Sequence, residues 1–252
     1  MPLFATLEFS LRAAAIDPVT GDRIRPSLRA YELTFADAKF GSTLTYSIGI
    51  GLITIVVSLL LIVPTAYWVR LKLPRLRPVV EFVTLMPFVI PPVILVFGLI
   101  RIYGREPLAL TNTATGGDIL LVGAYVILSF PYMYRAVDTG LASIDVRTLT
   151  EAAQSMGASW PRILWQVIFP NLRAALLSGA FLTLAIVIGE YTIANFLSRP
   201  AFGPYLSLLG QNKAYEPAAV SLISFGITWA AMGMLALLGR STRGRIQVAG
   251  AR

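Results

Sequence analysis

The chain contains no cysteine and no histidine. Without cysteine there is no disulfide and no thiolate metal site, and nothing marks a redox compartment. Without histidine the commonest general base, metal ligand and near-neutral pH switch is missing as well. Charge is also scarce. Only 13% of the 252 residues are charged and 56% are hydrophobic, whereas soluble domains carry about 25% charged residues. The phosphate-cradling pattern Gly-x-x-x-x-Gly-Lys-[Ser/Thr] does not occur, so the chain has no such loop for ATP. No internal repeat or low-complexity tract is evident. Basic residues are not interleaved with aromatics on a soluble stretch, which argues against nucleic acid as a partner.

Long apolar runs dominate what is there. Five stand out, at 44–69, 78–103, 119–137, 174–197 and 218–239. Several exceed the ~18 residues that cross hydrocarbon as a helix. The third barely reaches that length and holds Pro131. The expected fold class is an all-α polytopic membrane protein with five visible spans. Residues 1–43 have no comparable run, since Leu3 to Leu11 is short and interrupted by Glu8.

Charge orients the spans. If they alternate, twelve basic and four acidic residues fall on one side, and nine basic and eight acidic on the other. Glu190 lies within a span, so the whole formal excess of +8 sits on one face. Lys and Arg near span ends mark the cytoplasmic face. That face takes the polar segment 139–173 and the basic tail 240–252, which leaves residues 1–43 as an extracytoplasmic segment. Those residues have no preceding span to carry them across.

The 139–173 segment is too long and too patterned for a plain connection. Asp145 suits an N-cap for a helix over about 146–156, and Gly157 suits the left-handed residue that ends it. Ser159 suits a second cap, with Pro161 tolerated in the first turn. Ile163, Leu164, Val167 and Ile168 then form an apolar stripe, and Pro170 ends it. Ala152 and Ala153 are small enough to let another backbone approach. Two readings fit these residues equally: a docking element for a soluble partner, or an amphipathic helix pair lying on lipid, with Trp160 and Trp165 at the interface.

The order Glu151-Ala152-Ala153, Gly157, then Val167-Ile168-Phe169-Pro170 resembles the EAA motif of permease subunits of type I, binding-protein-dependent ABC importers. Val167 and Phe169 stand where the family pattern has Ile and Leu. The similarity extends over about residues 40–240. It implies a type I importer transmembrane domain over 44–239, with Glu151, Ala152, Ala153, Gly157, Val167 and Pro170 coupling the spans to a separate ATPase. It implies as partners two copies of that ATP-binding subunit, a second permease subunit, an extracytoplasmic solute-binding protein and membrane lipid. ATP and its magnesium belong to the ATPase, so this chain needs no cofactor, metal or catalytic residue. The implied location is the bacterial inner membrane, multi-pass, with the C-terminus cytoplasmic. The family usually begins with one further helix, so residues 1–43 are expected to be its following outer segment without that helix.

Glu190 is the one ionisable residue deep in a run, and such a group costs at least about 2.5 kcal/mol in a span. It stands ~25 Å along a helix from Arg173. Tyr191 and Asn195 flank it. It is either a carboxylate on a translocation path, meeting a cationic solute, or a structural acid paired with an arginine such as Arg101. Pro87, Pro91 and Pro92 crowd one span and predict a kink. Ser47 and Gly51 give a small-residue face for close helix packing. Residues 189–197 are similar to permeases of the spermidine/putrescine group, which implies a polyamine; importers of iron(III), thiamine, sulfate and aminoethylphosphonate share much of the pattern. Two rival classes remain. One is a membrane enzyme acting on lipid phosphate, which would need clustered carboxylates or a nucleophile site. The other is a secondary transporter of inverted repeats, for which the chain is short.

Overall fold

A computed structural model describes residues 2–16, 23, 24 and 26–243. The chain is helical almost throughout. The one exception among the described residues is a two-residue antiparallel ribbon, β1 (Ala15–Ile16) against β2 (Arg23–Ile24). The first helices, α1 (Pro2–Ser10) and α2 (Arg29–Ala36), precede the membrane-length elements.

The central layer is α3 (Ala38–Leu71), α6 (Ala114–Ala142) and α9 (Arg173–Gly189), which pack on one another. Asp37 caps α3 by accepting the Lys39 amide at 2.9 Å. The first expected span therefore runs longer than 44–69. Small residues let the layer close, as Ser47 and Gly51 suggest. A Cβ on Gly51 would press on Leu184 and Val187, and one on Gly179 would press on Met133. Buried Ser58 and Ser129 share a 2.7 Å hydrogen bond between α3 and α6, which satisfies both hydroxyls where water is absent.

Two expected spans are broken. The run 78–103 is α4 (Arg77–Val89) followed by α5 (Pro92–Tyr103), and the chain turns by 96° between them. A residue before proline is pushed out of the helical region. Here two in succession obey that rule: Ile90 has ψ 112° and Pro91 has ψ 138°. Pro87 sits inside α4 without ending it. The run 174–197 stops at Gly189, Glu190 is extended with ψ 124°, and a short helix α10 (Thr192–Phe196) follows.

By contrast the marginal run 119–137 is the interior of α6, 29 residues long with Pro131 inside. Only α3 and α6 are each long and apolar enough to cross a membrane, among the described residues; α4 with α5, and the pair ending in α9, reach that length as bent units. The fifth run lies in α12 (Glu216–Arg243), whose side chains are described only in part. Of the expected basic tail 240–252, residues 244–252 lie outside the described residues. Helix α11 (Phe202–Asn212) folds back before α12. Its first amide, on Phe202, donates to Ser47 Oγ at 2.8 Å, and a Cβ on Gly203 would overlap the Glu190 carbonyl oxygen.

The described parts of the N-terminal segment pack on the last helix, α1 and α2 both meeting α12. Ser10 and Tyr31 share a 2.8 Å hydrogen bond, and Phe9 lies 5.1 Å from Tyr215, ring to ring.

Candidate functional site

The polar segment folds as two helices, α7 (Val146–Ser155) and α8 (Trp160–Asn171). Asp145 caps α7 as its type suggests. Its carboxylate accepts the Thr148 amide at 3.1 Å and the Thr148 hydroxyl at 2.8 Å. These bonds, the amide first, hold the Asp145 carboxyl below the usual carboxylate range. Gly157 ends α7 with φ +79°. Its amide bonds Gln154 O at 2.9 Å, and the Ala158 amide bonds Ala153 O at 3.0 Å. This is the paired closure that a left-handed residue after a helix permits. A Cβ on Gly157 would meet nothing within 4 Å, so only the backbone angle calls for glycine here.

The motif residues divide between two faces. Ala153 is 3% exposed and packs inward with Tyr67, Val146, Ile163 and Leu172. The expectation that both alanines offer a surface to another backbone therefore fails for Ala153, because the helix period turns it toward α3. Tyr67 of α3 shares a 2.9 Å hydrogen bond with Thr150, one turn before. Glu151 and Ala152 are exposed, as are Ser155, Gly157 and Met156, the last at 81%. Glu151 accepts from exposed Arg147 at 2.8 Å, and this carboxylate raises the Arg147 guanidinium above its usual range. An exposed pair of this kind stabilises little and exchanges readily.

Helix α8 departs from a plain α-helix. Its middle, Ile163–Ile168, is wound as a π-helix. The Phe169 amide bonds Leu164 O, five residues back, and Pro170 then has no amide to donate. The wider turn brings Ile163 and Ile168 to one buried face, both 0% exposed. Leu164 and Val167, also in the expected stripe, are half-buried beside them. Ser159 holds the cap position without a side-chain cap bond. Pro170 does not end the helix, which continues to Asn171; the chain then bends by 80° into α9. Trp160 packs on Trp68 at 4.8 Å, with Lys72 over its ring at 5.9 Å. Trp165 stacks on Phe169 at 4.5 Å and stays 53% exposed.

Beneath this surface sits a cluster that spacing does not reveal. Asp138 of α6, 8% exposed, takes Arg77 Nη2 at 2.9 Å on one oxygen and Arg70 Nη1 at 3.2 Å on the other. The carboxylate ties the last turn of α3, the first of α4 and the final third of α6 together. Only the contact between distant helices brings these three residues to one point.

At the other break, Glu190 is not paired with Arg101 or any arginine among the described residues. Its Oε1 accepts the Ile193 amide at 2.8 Å; its Oε2 accepts the Ala194 amide at 3.2 Å and the Tyr125 hydroxyl at 3.0 Å. The carboxylate thus caps α10, where free amides and the helix dipole favour a negative charge. It also borders an open hollow of about 440 Å³ with Pro87, Pro92, Gly189 and Tyr132. The structure so brings together the acid and the proline break. Tyr191 turns to a different hollow, beside Phe202 and Ser224, and Asn195 is exposed. The three do not form one polar strip, because the helix on which they would align is broken at Glu190.

Relatives were found over parts of the chain. The chain is 44% identical over 68 residues to the probable sulfate transport system permease protein cysT of Chlorokybus atmophyticus, covering 27% of this chain and 23% of that protein. It is 31% identical to a probable molybdenum ABC transporter permease protein of Haloferax volcanii, covering 51% and 48%. It is 24% identical to the spermidine/putrescine transport system permease protein PotB of Haemophilus influenzae, covering 60% and 56%. The chain thus spans half or less of the length of the first curated relatives it matches. Among solved structures, the inward-facing MetNI methionine ABC transporter aligns with TM-score 0.62 at 17% identity, over 81% of this chain and 98% of that one. That likeness is of fold. The profile described as binding-protein-dependent transport system inner membrane component matches residues 62–244, and the chain belongs to that family.

Proposed function

We propose that this chain is the permease subunit of an ATP-driven, binding-protein-dependent importer. In this reading residues 44–239 form the transmembrane domain and α7 with α8 meets a separate ATPase on the cytoplasmic side. The observation that carries the proposal is the divided face of α7. Ala153 and Thr150 anchor it to α3, while Glu151, Ala152, Met156 and Gly157 are exposed. A helix that is rigidly seated on one side and bare on the other can transmit movement of a bound partner to α3 and α6. Both ATPase copies, a second permease and a solute-binding protein are part of the proposal, as is the C-terminus in the cytoplasm. The family match favours this reading over a lipid-phosphate enzyme or a secondary transporter.

The cargo is a small solute delivered from outside. A polyamine, expected from Glu190, finds less support than the sequence suggests. Both carboxylate oxygens are engaged, and the relatives' printed names range over sulfate, molybdenum, methionine and spermidine/putrescine. Gly157→Asp tests the docking face. It adds charge where a Cβ meets nothing within 4 Å, and aspartate is one of the few side chains that visits the left-handed region as a single residue, so the membrane level of the protein should hold. Uptake should fall at least tenfold while the ATPase still turns over; unchanged uptake in the reconstituted complex would remove α7 from the interface.

A further inference from the structure

A second hollow, of about 680 Å³, lies below the first, between α4, α6 and α9. The two share Phe88 and Tyr132, whose rings meet edge to face at 5.4 Å. Together they form one groove from the proline break toward the inner ends of the helices, with an aromatic pair at its waist. Its lower part is lined by Thr139, Gly140, Ser143, Ala174 and Ser178, all small, and by a single charge, Arg135. Tyr125, which touches Glu190, is ten residues from Arg135 on the same helix, so Arg135 lies ~15 Å further along α6.

Their states differ. Glu190 accepts three hydrogen bonds, two of them from amides. Arg135 is exposed and has no hydrogen bond or ion pair among the described residues. The nearest acid in sequence, Asp138, is held by Arg70 and Arg77. Oxygen acceptors are what a free guanidinium lacks, and a planar donor fork matches an oxyanion. A polyamine entering this part of the groove would meet like charge with no carboxylate to offset it.

We propose that this groove is an anion path, in which Arg135 is a binding station for a small oxyanion of the sulfate type passing below the Phe88–Tyr132 waist. The proposal rests on reading the chain as a permease and supplies the charge of its cargo. Arg135 touches the solute, and the hydroxyls of Thr139 and Ser178 line the same hollow.

The absence of cysteine makes the test direct. Ser178→Cys places one thiol in the hollow of the detergent-purified chain, more than a turn away from exposed Arg173 and with no background. Its modification by anionic sulfonatoethyl methanethiosulfonate and by the cationic trimethylammonium analogue is then timed. With each rate divided by that reagent's rate on free 2-mercaptoethanol, the anionic reagent should be favoured by roughly tenfold, as expected for one guanidinium that attracts one reagent and repels the other. Adding Arg135→Gln should abolish that preference, and Arg135→Lys should keep most of it. Millimolar sulfate should slow modification, and spermidine should not. Equal normalised rates for the two reagents, or no reaction with either, would overturn the proposal. So would protection by phosphatidylglycerol without protection by sulfate, which would make the site one for a lipid headgroup. None of these readouts uses the ATPase, so failure here leaves the docking result at Gly157 untouched.

Discussion

Replacing Glu190 separates a structural acid from a transport acid. Its carboxylate accepts the Ile193 and Ala194 amides and the Tyr125 hydroxyl at 2.8, 3.2 and 3.0 Å. Glu190→Ala leaves all three donors without an acceptor at a helix break. A buried donor left unsatisfied costs about 1–3 kcal/mol, and loss of charge at a helix N-terminus adds roughly 0.3–1 kcal/mol. Because α10 can recover part of this through water, the expected destabilisation is about 3–6 kcal/mol rather than the full sum. Glu190→Gln keeps one carbonyl oxygen and places an amide where an acceptor was, so about 1–3 kcal/mol is expected. Tyr125→Phe removes one hydrogen bond to a charged group, also about 1.5–3 kcal/mol. Thermal unfolding of the detergent-purified protein, followed by tryptophan fluorescence, should rank the parent above Gln and Phe, and those above Ala. Uptake in the assembled importer should fall in the same order as stability. A Glu190→Gln protein that unfolds like the parent yet transports nothing would refute this reasoning and return the carboxylate to the solute path.

Two further outcomes test the packing. Ala153→Leu inserts a large side chain between α7 and Tyr67, where overpacking costs about 1–3 kcal/mol; it should lower the unfolding temperature, whereas exposed Ala152→Leu should not, and equal effects would refute the division of the two faces. Gly203→Ala sets a Cβ against the Glu190 carbonyl oxygen, so the yield of monodisperse protein in size-exclusion chromatography should collapse, unlike that of Gly210→Ala, which meets nothing within 4 Å.

Much of this was legible in order and spacing. Apolar length marked the membrane elements because hydrocarbon solvates no backbone, and helices satisfy their own amides. Asp145, Gly157 and Pro161 act locally, through caps and fixed dihedral angles, and they stand where their types suggest. Paired prolines predicted a kink in the second run for the same local reason.

What distant packing decides was out of reach. Nothing near Asp138 in sequence indicates that Arg70 and Arg77 close on it, 68 and 61 positions away. Nor does Glu190 announce that it caps the helix after it and takes a tyrosine 65 positions back. The sequence by itself settled that the chain lives in a membrane, which runs are helical, and which family its polar segment resembles. Only the tertiary structure decided which face of α7 is exposed, where the spans break sharply, and that Glu190 is engaged by three donors while Arg135 has no partner among the described residues. Period and propensity are properties of neighbours along the chain, whereas the partner of a buried charge is fixed by which helices meet.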